Sequence, residues 1–258
     1  MSAWIQTIPL PLIGLLLLGL MIASTLLGHR AGRPRQSERN EKGQEFLLSA
    51  VLGLLALLLG FTFSLALQRY ETRRELVVTE VNALGTAWLR VQLLAEPARS
   101  EVTALMRAYV AARADWSQAG SDEAERGSLA RSTALQDRLW ARTANAVRAD
   151  PLPVVSARLL DPLNEAFDAA TSRRAAEAVR IPLRIVNLLL LYTFLSNFML
   201  GHILAGYGPL RRVSVLMTLV LLTLALVTII DLNRPRAGRI LIPQEPMIQL
   251  RAAIAPQA

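Results

Sequence analysis

Four long apolar blocks interrupt an otherwise polar chain, at about Ile8 to Gly28, Phe46 to Leu67, Leu183 to Gly206 and Val213 to Ile230. Each is long enough to cross a hydrocarbon core of ~30 Å as a helix, which takes roughly 20 residues. None alternates with period two, and lipid offers no partner to backbone N–H and C=O groups. Helices are therefore predicted, not barrel strands. The second block ends unusually. From Leu57 to Trp88 the chain passes from apolar to charged residues without a proline, so this helix is expected to leave the bilayer and continue.

The continuation carries its own pattern. Val77, Val81, Leu84, Trp88 and Val91 recur at the spacing of a coiled-coil seam, while Glu71, Arg73, Arg74, Glu80 and Arg90 lie off it. Such a helix needs helical partners. Pro97 closes it, Ser100 is placed as the cap of the next helix, and Glu101 favours that helix's positive end. A turn at Ala119 to Ser121 leads to a helix from about Asp122 to Ala149, ended by Pro151 and Pro153. Asp161 and Pro162 start a last helix, LNEAFDAATSRRAAEAVR, which delivers the chain to the third apolar block at Ile181 and Pro182. The expected fold is all-α, with four transmembrane helices and a helical extramembrane domain inserted between spans two and three. Its parts are a transmembrane hairpin (1–68), the helical domain (69–182), a second hairpin (183–231) and a polar tail (232–258).

Composition narrows the function. The chain is 53% hydrophobic yet carries 28 Lys and Arg against 20 Asp and Glu, a net charge of +8. These basic residues, all Arg except Lys42, collect at the span ends and form no aromatic-interleaved face. They point to anionic lipid headgroups, at about 1 kcal/mol per residue near the surface, and away from nucleic acid. The first block has no positive residue before it and is longer than a signal-peptide core, so it reads as a retained span. The absence of Cys excludes disulfides, iron–sulfur ligation and thiol catalysis. With two His, His29 and His202, and no His/Glu cluster, no metal site is indicated. No nucleophile and base pair or phosphate-binding glycine loop is present either, so neither enzyme nor cofactor is expected.

The candidate chemistry lies on span two. Gly53, Leu57, Phe61, Ser64, Gln68, Glu71 and Glu75 fall at four- and three-residue steps on one stripe, which turns from apolar to polar along the helix. Several copies around an axis would make of it an apolar gate opening into a charged vestibule. The alternative use is packing, for which Ser49, Gly53 and Gly60 are suitably small. In span three, Asn187, Ser196, Asn197 and His202 are polar but not acidic. They are expected to hydrogen-bond between helices and not to relay protons. Asp231, Asn233, Arg234 and Arg236, held by Pro235, form either a solvated exit turn or a charge pair with Arg173, Arg174 or Arg180.

The run Leu59, Gly60, Phe61, Ser64, Arg69, Tyr70, Glu71, Arg73 resembles the pore-helix signature of the bestrophin channels. The likeness is closer to the bestrophin-like domain family of bacterial membrane proteins. It extends to Glu80 and Ala83 in TEVNALGTAW, to LNEAFDAATSRR before a Pro-initiated span, and to the tail DLNRPRAGRILIPQEPMIQL. The resemblance implies a homo-oligomer about an axis, a pentamer by analogy, that passes inorganic ions through a bacterial inner membrane as a multi-pass protein. It implies pore-lining roles for Gly53, Leu57, Phe61, Ser64 and Gln68, and structural polar roles for Arg69, Glu71, Arg73, Glu80, Asp231, Asn233 and Arg234. The alternative is a non-conducting structural or regulatory scaffold, favoured by Thr62 where a channel-type bestrophin carries a basic residue. Orientation is open. Five basic residues in the first loop, with Arg211 and Arg212 in the third, place the short loops in the cytoplasm, whereas the resemblance places the helical domain there.

Overall fold

The computed structural model describes residues 8–32, 41–149, 158–206 and 211–256, and these contain helices and connections but no strand. The helices are α1 (Leu10–Gly32), α2 (Glu41–Val91), α3 (Ala98–Ser117), α4 (Asp122–Ala149), α5 (Leu160–Ala178), α6 (Leu183–Ile203), α7 (Arg211–Leu232) and α8 (Glu245–Ala253). Four of them contain windows long and apolar enough to cross a membrane. The second apolar block does continue: α2 is one helix of 51 residues. The chain divides into two compact units, one of residues 1–70 and 179–241, the other of residues 71–178 and 242–258.

In the first unit α1 packs on α6 and α7, around a core that includes Met21, Leu55, Ala66, Leu189, Leu219 and Leu226. Lipid is as apolar as these side chains, so helices associate here by close contact more than by hydrophobic burial. Glycine supplies that contact. A Cβ at Gly28 would stand 1.9 Å from the Phe198 carbonyl oxygen, and one at Gly201 would stand 1.9 Å from the Thr25 carbonyl oxygen. Beside this crossing Ser24 Oγ donates to the Phe194 carbonyl at 2.7 Å, joining α1 to α6.

Five other hydroxyls in these spans bond to their own helices, Thr223 also reaching Met21 Sδ at 3.5 Å. Thr25, Thr62, Thr193, Ser196 and Thr223 each donate to the carbonyl four residues back, at 2.7–2.9 Å. A hydroxyl in hydrocarbon thereby finds a partner without a neighbouring helix. The expectation that span-three polar groups join helices is corrected by this. Ser196 bonds its own helix, Asn187 is exposed, the His202 ring stacks on Phe198 at 6.5 Å, and the buried Asn197 amide has no hydrogen-bond partner among the described residues.

The second unit is a bundle in which α3 packs on α4 and α8, and α4 packs on α5. Its core gathers Leu84, Val91, Val102, Met106, Tyr109, Leu139, Leu163 and Met247. The start of α3 differs from expectation. Pro97 occupies the cap position and has no capping side chain, so the carboxylate before it takes over: Glu96 Oε2 accepts from Ser100 N at 3.2 Å and from Ser100 Oγ at 2.7 Å. Ser100 is thus inside the first turn. Its bonds, with that of Arg99, hold the Glu96 carboxyl below the usual carboxylate value. Helix α4 has the predicted ends, though Pro151 and Pro153 lie outside the described residues. Helix α5 begins at Leu160, so Asp161 stands in its first turn. Residues 242–258 belong to this unit, α8 buries Met247, and Arg107 Nε donates to the Ile254 carbonyl at 2.7 Å.

Candidate functional site

Helix α2 has two unlike faces. Its most buried positions, Leu55, Thr62, Ala66, Arg73, Val77, Glu80, Leu84, Ala87 and Val91, are spaced by sevens, fours and threes, a heptad stripe along the helix. Val77, Leu84 and Val91 of the seam read from apolar residues lie on this stripe. Val81 and Trp88 are only partly buried, while Arg73 and Glu80, placed off the seam, are at its centre.

The opposite face is uncovered. Gly53, Leu57, Phe61, Ser64, Gln68, Glu71 and Glu75 are all exposed, Leu57 at 53% and Phe61 at 65%. Gly53 and Gly60 would meet nothing within 4 Å if given a Cβ. Among the described residues these glycines serve no packing contact. The stripe runs from apolar Leu57 and Phe61 through Ser64 and Gln68 to the acids Glu71 and Glu75, so its wetting changes along its length.

Burial of Glu80 is offset by a dense set of partners in the second unit. Both its oxygens accept from Arg113, at Oε1 from Nε and at Oε2 from Nη2 (3.1 Å), and Oε2 also accepts from Arg173 Nη1 at 2.9 Å. Arg173 donates in turn to Gln244 Oε1, and its Nε lies 3.8 Å from Glu177. The Trp116 ring lies against both guanidinium groups, at 4.4 and 4.9 Å. Burial opposes the charge on Arg113, but the Glu80 hydrogen bond and charge outweigh it and raise its pKa. For Arg173 burial prevails over Glu80 and the pKa is lowered.

In the first unit the end of α7 forms a second polar knot. Asp231 Oδ1 accepts from the Arg239 backbone at 2.7 Å, and a Cβ on Gly238 would come within 2.2 Å of that same oxygen. Asn233 Oδ1 accepts from Ile181 N at 2.9 Å just before α6, and Arg234 Nη2 donates to the Ile8 carbonyl at 3.0 Å just before α1. One turn thus ties down the starts of two other helices. Asp231, Asn233 and Arg234 are buried, which corrects the solvated-turn reading.

The sequence pattern of the bestrophin-like domain matches residues 14–247. The chain belongs to the bestrophin-like domain family. Its fold also matches a solved bacterial bestrophin homologue from Klebsiella pneumoniae, with a TM-score of 0.67 at 14% identity, covering 95% of this chain and 97% of that one. Two single-substitution variants of that homologue match with TM-scores of 0.69, also at 14% identity, covering 93% and 94% of this chain and 96% of theirs. No protein of curated function matches in sequence.

Within this bestrophin-like chain the candidate residues separate into three places. Gly53, Leu57, Phe61, Ser64, Gln68 and Glu71 share the exposed face of α2. Arg73 and Glu80 share its buried face, where Arg73 Nε donates to the Ala176 carbonyl at 3.0 Å. Asp231, Asn233 and Arg234 form the turn after α7. Arg69 is half-buried on α2 and belongs to neither face. Sequence reading missed Arg113, Trp116 and Gln244, the partners that make a buried Glu80 tolerable. A carboxylate at a heptad core position requires cations from elsewhere in the chain, but the apolar pattern had placed Glu80 off the seam and hid that signal.

Proposed function

We propose that this bestrophin-like protein is a passive ion channel of the bacterial inner membrane, built from several copies with the exposed face of α2 turned to a common axis. One observation carries the reading. An ordered stripe from Gly53 to Glu75, apolar first and acidic last, is left uncovered among the described residues. Rings of Leu57 and Phe61 at the axis form a dry constriction that gates by dewetting. Ser64 and Gln68 follow as a wetted section, and Glu71 and Glu75 line a negative vestibule that concentrates cations. The lipid bilayer and inorganic ions are then its working partners.

The test is conductance of the purified protein in a planar bilayer, for wild type and Phe61→Ala. The channel reading expects current in the wild type and a larger current or constant leak in the variant, because the narrowest dry ring is removed. Absence of current in both, with intact folding, transfers the protein to the class of structural membrane scaffolds.

A further inference from the structure

Outside the α2 stripe, a small cleft in the second unit remains without a role. It lies between α3, α4 and α5, has a volume of about 20 Å3, and is lined among others by Tyr109, Arg113, Gln136, Thr171 and Arg174. A space of this size accepts one water-sized group. No lining residue is acidic, and two carry guanidinium groups. Arg113 Nη1 takes no part in the bonds to Glu80, and Arg174 makes no hydrogen bond or ion pair among the described residues. The Tyr109 side chain is buried to 1% exposure, yet its hydroxyl has no partner among the described residues.

A buried hydroxyl without a partner is costly. The cleft offers Tyr O–H, the Arg174 guanidinium, the Thr171 hydroxyl and the Gln136 amide, with no acidic residue in its lining, while Arg113 is already held by Glu80 through Nε and Nη2. We propose that this cleft is a binding site for a small oxyanion, a carboxylate or phosphate group, seated against Tyr109 and clamped by Arg174 from the solvent side. The planar guanidinium fork matches two oxygens of such a group better than it matches a halide. Burial raises the Tyr109 pKa, so the phenol stays protonated and donates. The volume admits one oxygen of such a group, and the rest of it, with whatever carries it, stays outside beside Arg174. A free anion and the head of a larger solute share this chemistry.

The experiment uses the full chain in detergent, with isothermal titration and thermal melting in sodium phosphate, sodium acetate and sodium chloride at matched ionic strength. Saturable binding of phosphate or acetate is expected, with a melting temperature that rises as the site fills. Chloride at the same strength should give no such rise. Binding to both oxyanions assigns the site to any carboxylate or phosphate head, and binding to one alone names the source. Arg174→Gln should weaken the affinity by about tenfold or more, as loss of a charge-assisted hydrogen bond does. Tyr109→Phe should melt no lower than wild type in chloride, since it deletes an unpaired hydroxyl, and should lose the response to oxyanions. Equal responses in wild type and both variants overturn the proposal, as does a rise in chloride equal to that in phosphate. A Tyr109→Phe protein that melts lower in chloride and still responds to phosphate means that a bound water holds the hydroxyl, and it overturns the proposal too.

Discussion

Glu80 shows how a single residue can contradict the simplest pattern rule and still be dictated by physics. Helical spacing puts it on the buried face of α2 between Val77 and Leu84, where an unpaired carboxylate would cost several kcal/mol. Two guanidinium groups converge on it, both lying against the Trp116 ring, so its partners balance a carboxylate locally. Glu80→Gln removes the anion and leaves two buried cations facing each other. The expected loss is about 3–5 kcal/mol, the usual cost of breaking one side of a buried pair, read as a lower melting temperature. Glu71→Gln, on the exposed face of the same helix, should stay within about 0.5 kcal/mol of wild type. Phe61→Ala should also be mild for the chain's own stability, because Phe61 is 65% exposed and its removal opens no cavity within the chain. At the start of α3, Glu96 gives a pH effect of known sign. Its folded pKa lies below the ordinary 4.5, so its capping contribution is present above that value and is lost as pH falls through the lower, folded one. NMR titration of the Glu96 carboxyl should show a midpoint below 4.5, and in Ser100→Ala the midpoint should move upward.

At the scale of elements, period and length made the helices legible, while partners distant in sequence did not. The apolar runs placed all four spans, and the absence of proline after Leu57 foretold the long α2. The exposed stripe from Gly53 to Glu75 was also readable, because the positions of a face follow from helical spacing alone. The buried face was read at Val77, Leu84 and Val91 and missed at Arg73, Glu80 and Ala87, because apolar character was taken as the mark of burial. Val81 and Trp88 look like core; Glu80 and Ala87 are core, and Glu80 is so only because Arg113 and Arg173 arrive from 33 and 93 residues further on. The α1–α6 crossing was not readable either, since glycines are common in spans and only the fold reveals which one meets a backbone. That crossing makes its own prediction. Gly28→Val or Gly201→Val puts carbon where a carbonyl oxygen stands, so α1 and α6 must separate at a cost of about 1–3 kcal/mol or more. Gly19→Ala, on the same helix with nothing within 4 Å of its added carbon, should be neutral or stabilising by roughly 0.4–1 kcal/mol. Melting curves of the three variants in one detergent make the comparison, and equal losses at Gly19 and Gly28 would refute the close crossing.

For the whole molecule the open question is what covers the outer face of α2. A membrane helix that only faces lipid has no need of glycine at Gly53 and Gly60 or of acids at Glu71 and Glu75, whereas one that meets copies of itself around an axis uses both kinds of residue. Small residues allow backbones to approach, and polar ones keep the wider section wet. Assembly is therefore the prediction with the widest reach. Mass measurement of the protein in nanodiscs should give a multiple of the 28.3 kDa chain, fivefold if the arrangement is pentameric. The chain contains no Cys, so a single introduced thiol reports on one position without background. Ser64→Cys, on the stripe, should cross-link copies through a short bifunctional thiol reagent. Leu221→Cys, exposed on α7, should not. Cross-linking at Ser64 with none at Leu221 supports an axis lined by α2. A monomeric mass, or cross-linking at Leu221 with none at Ser64, would turn the stripe toward lipid and remove the basis for a pore.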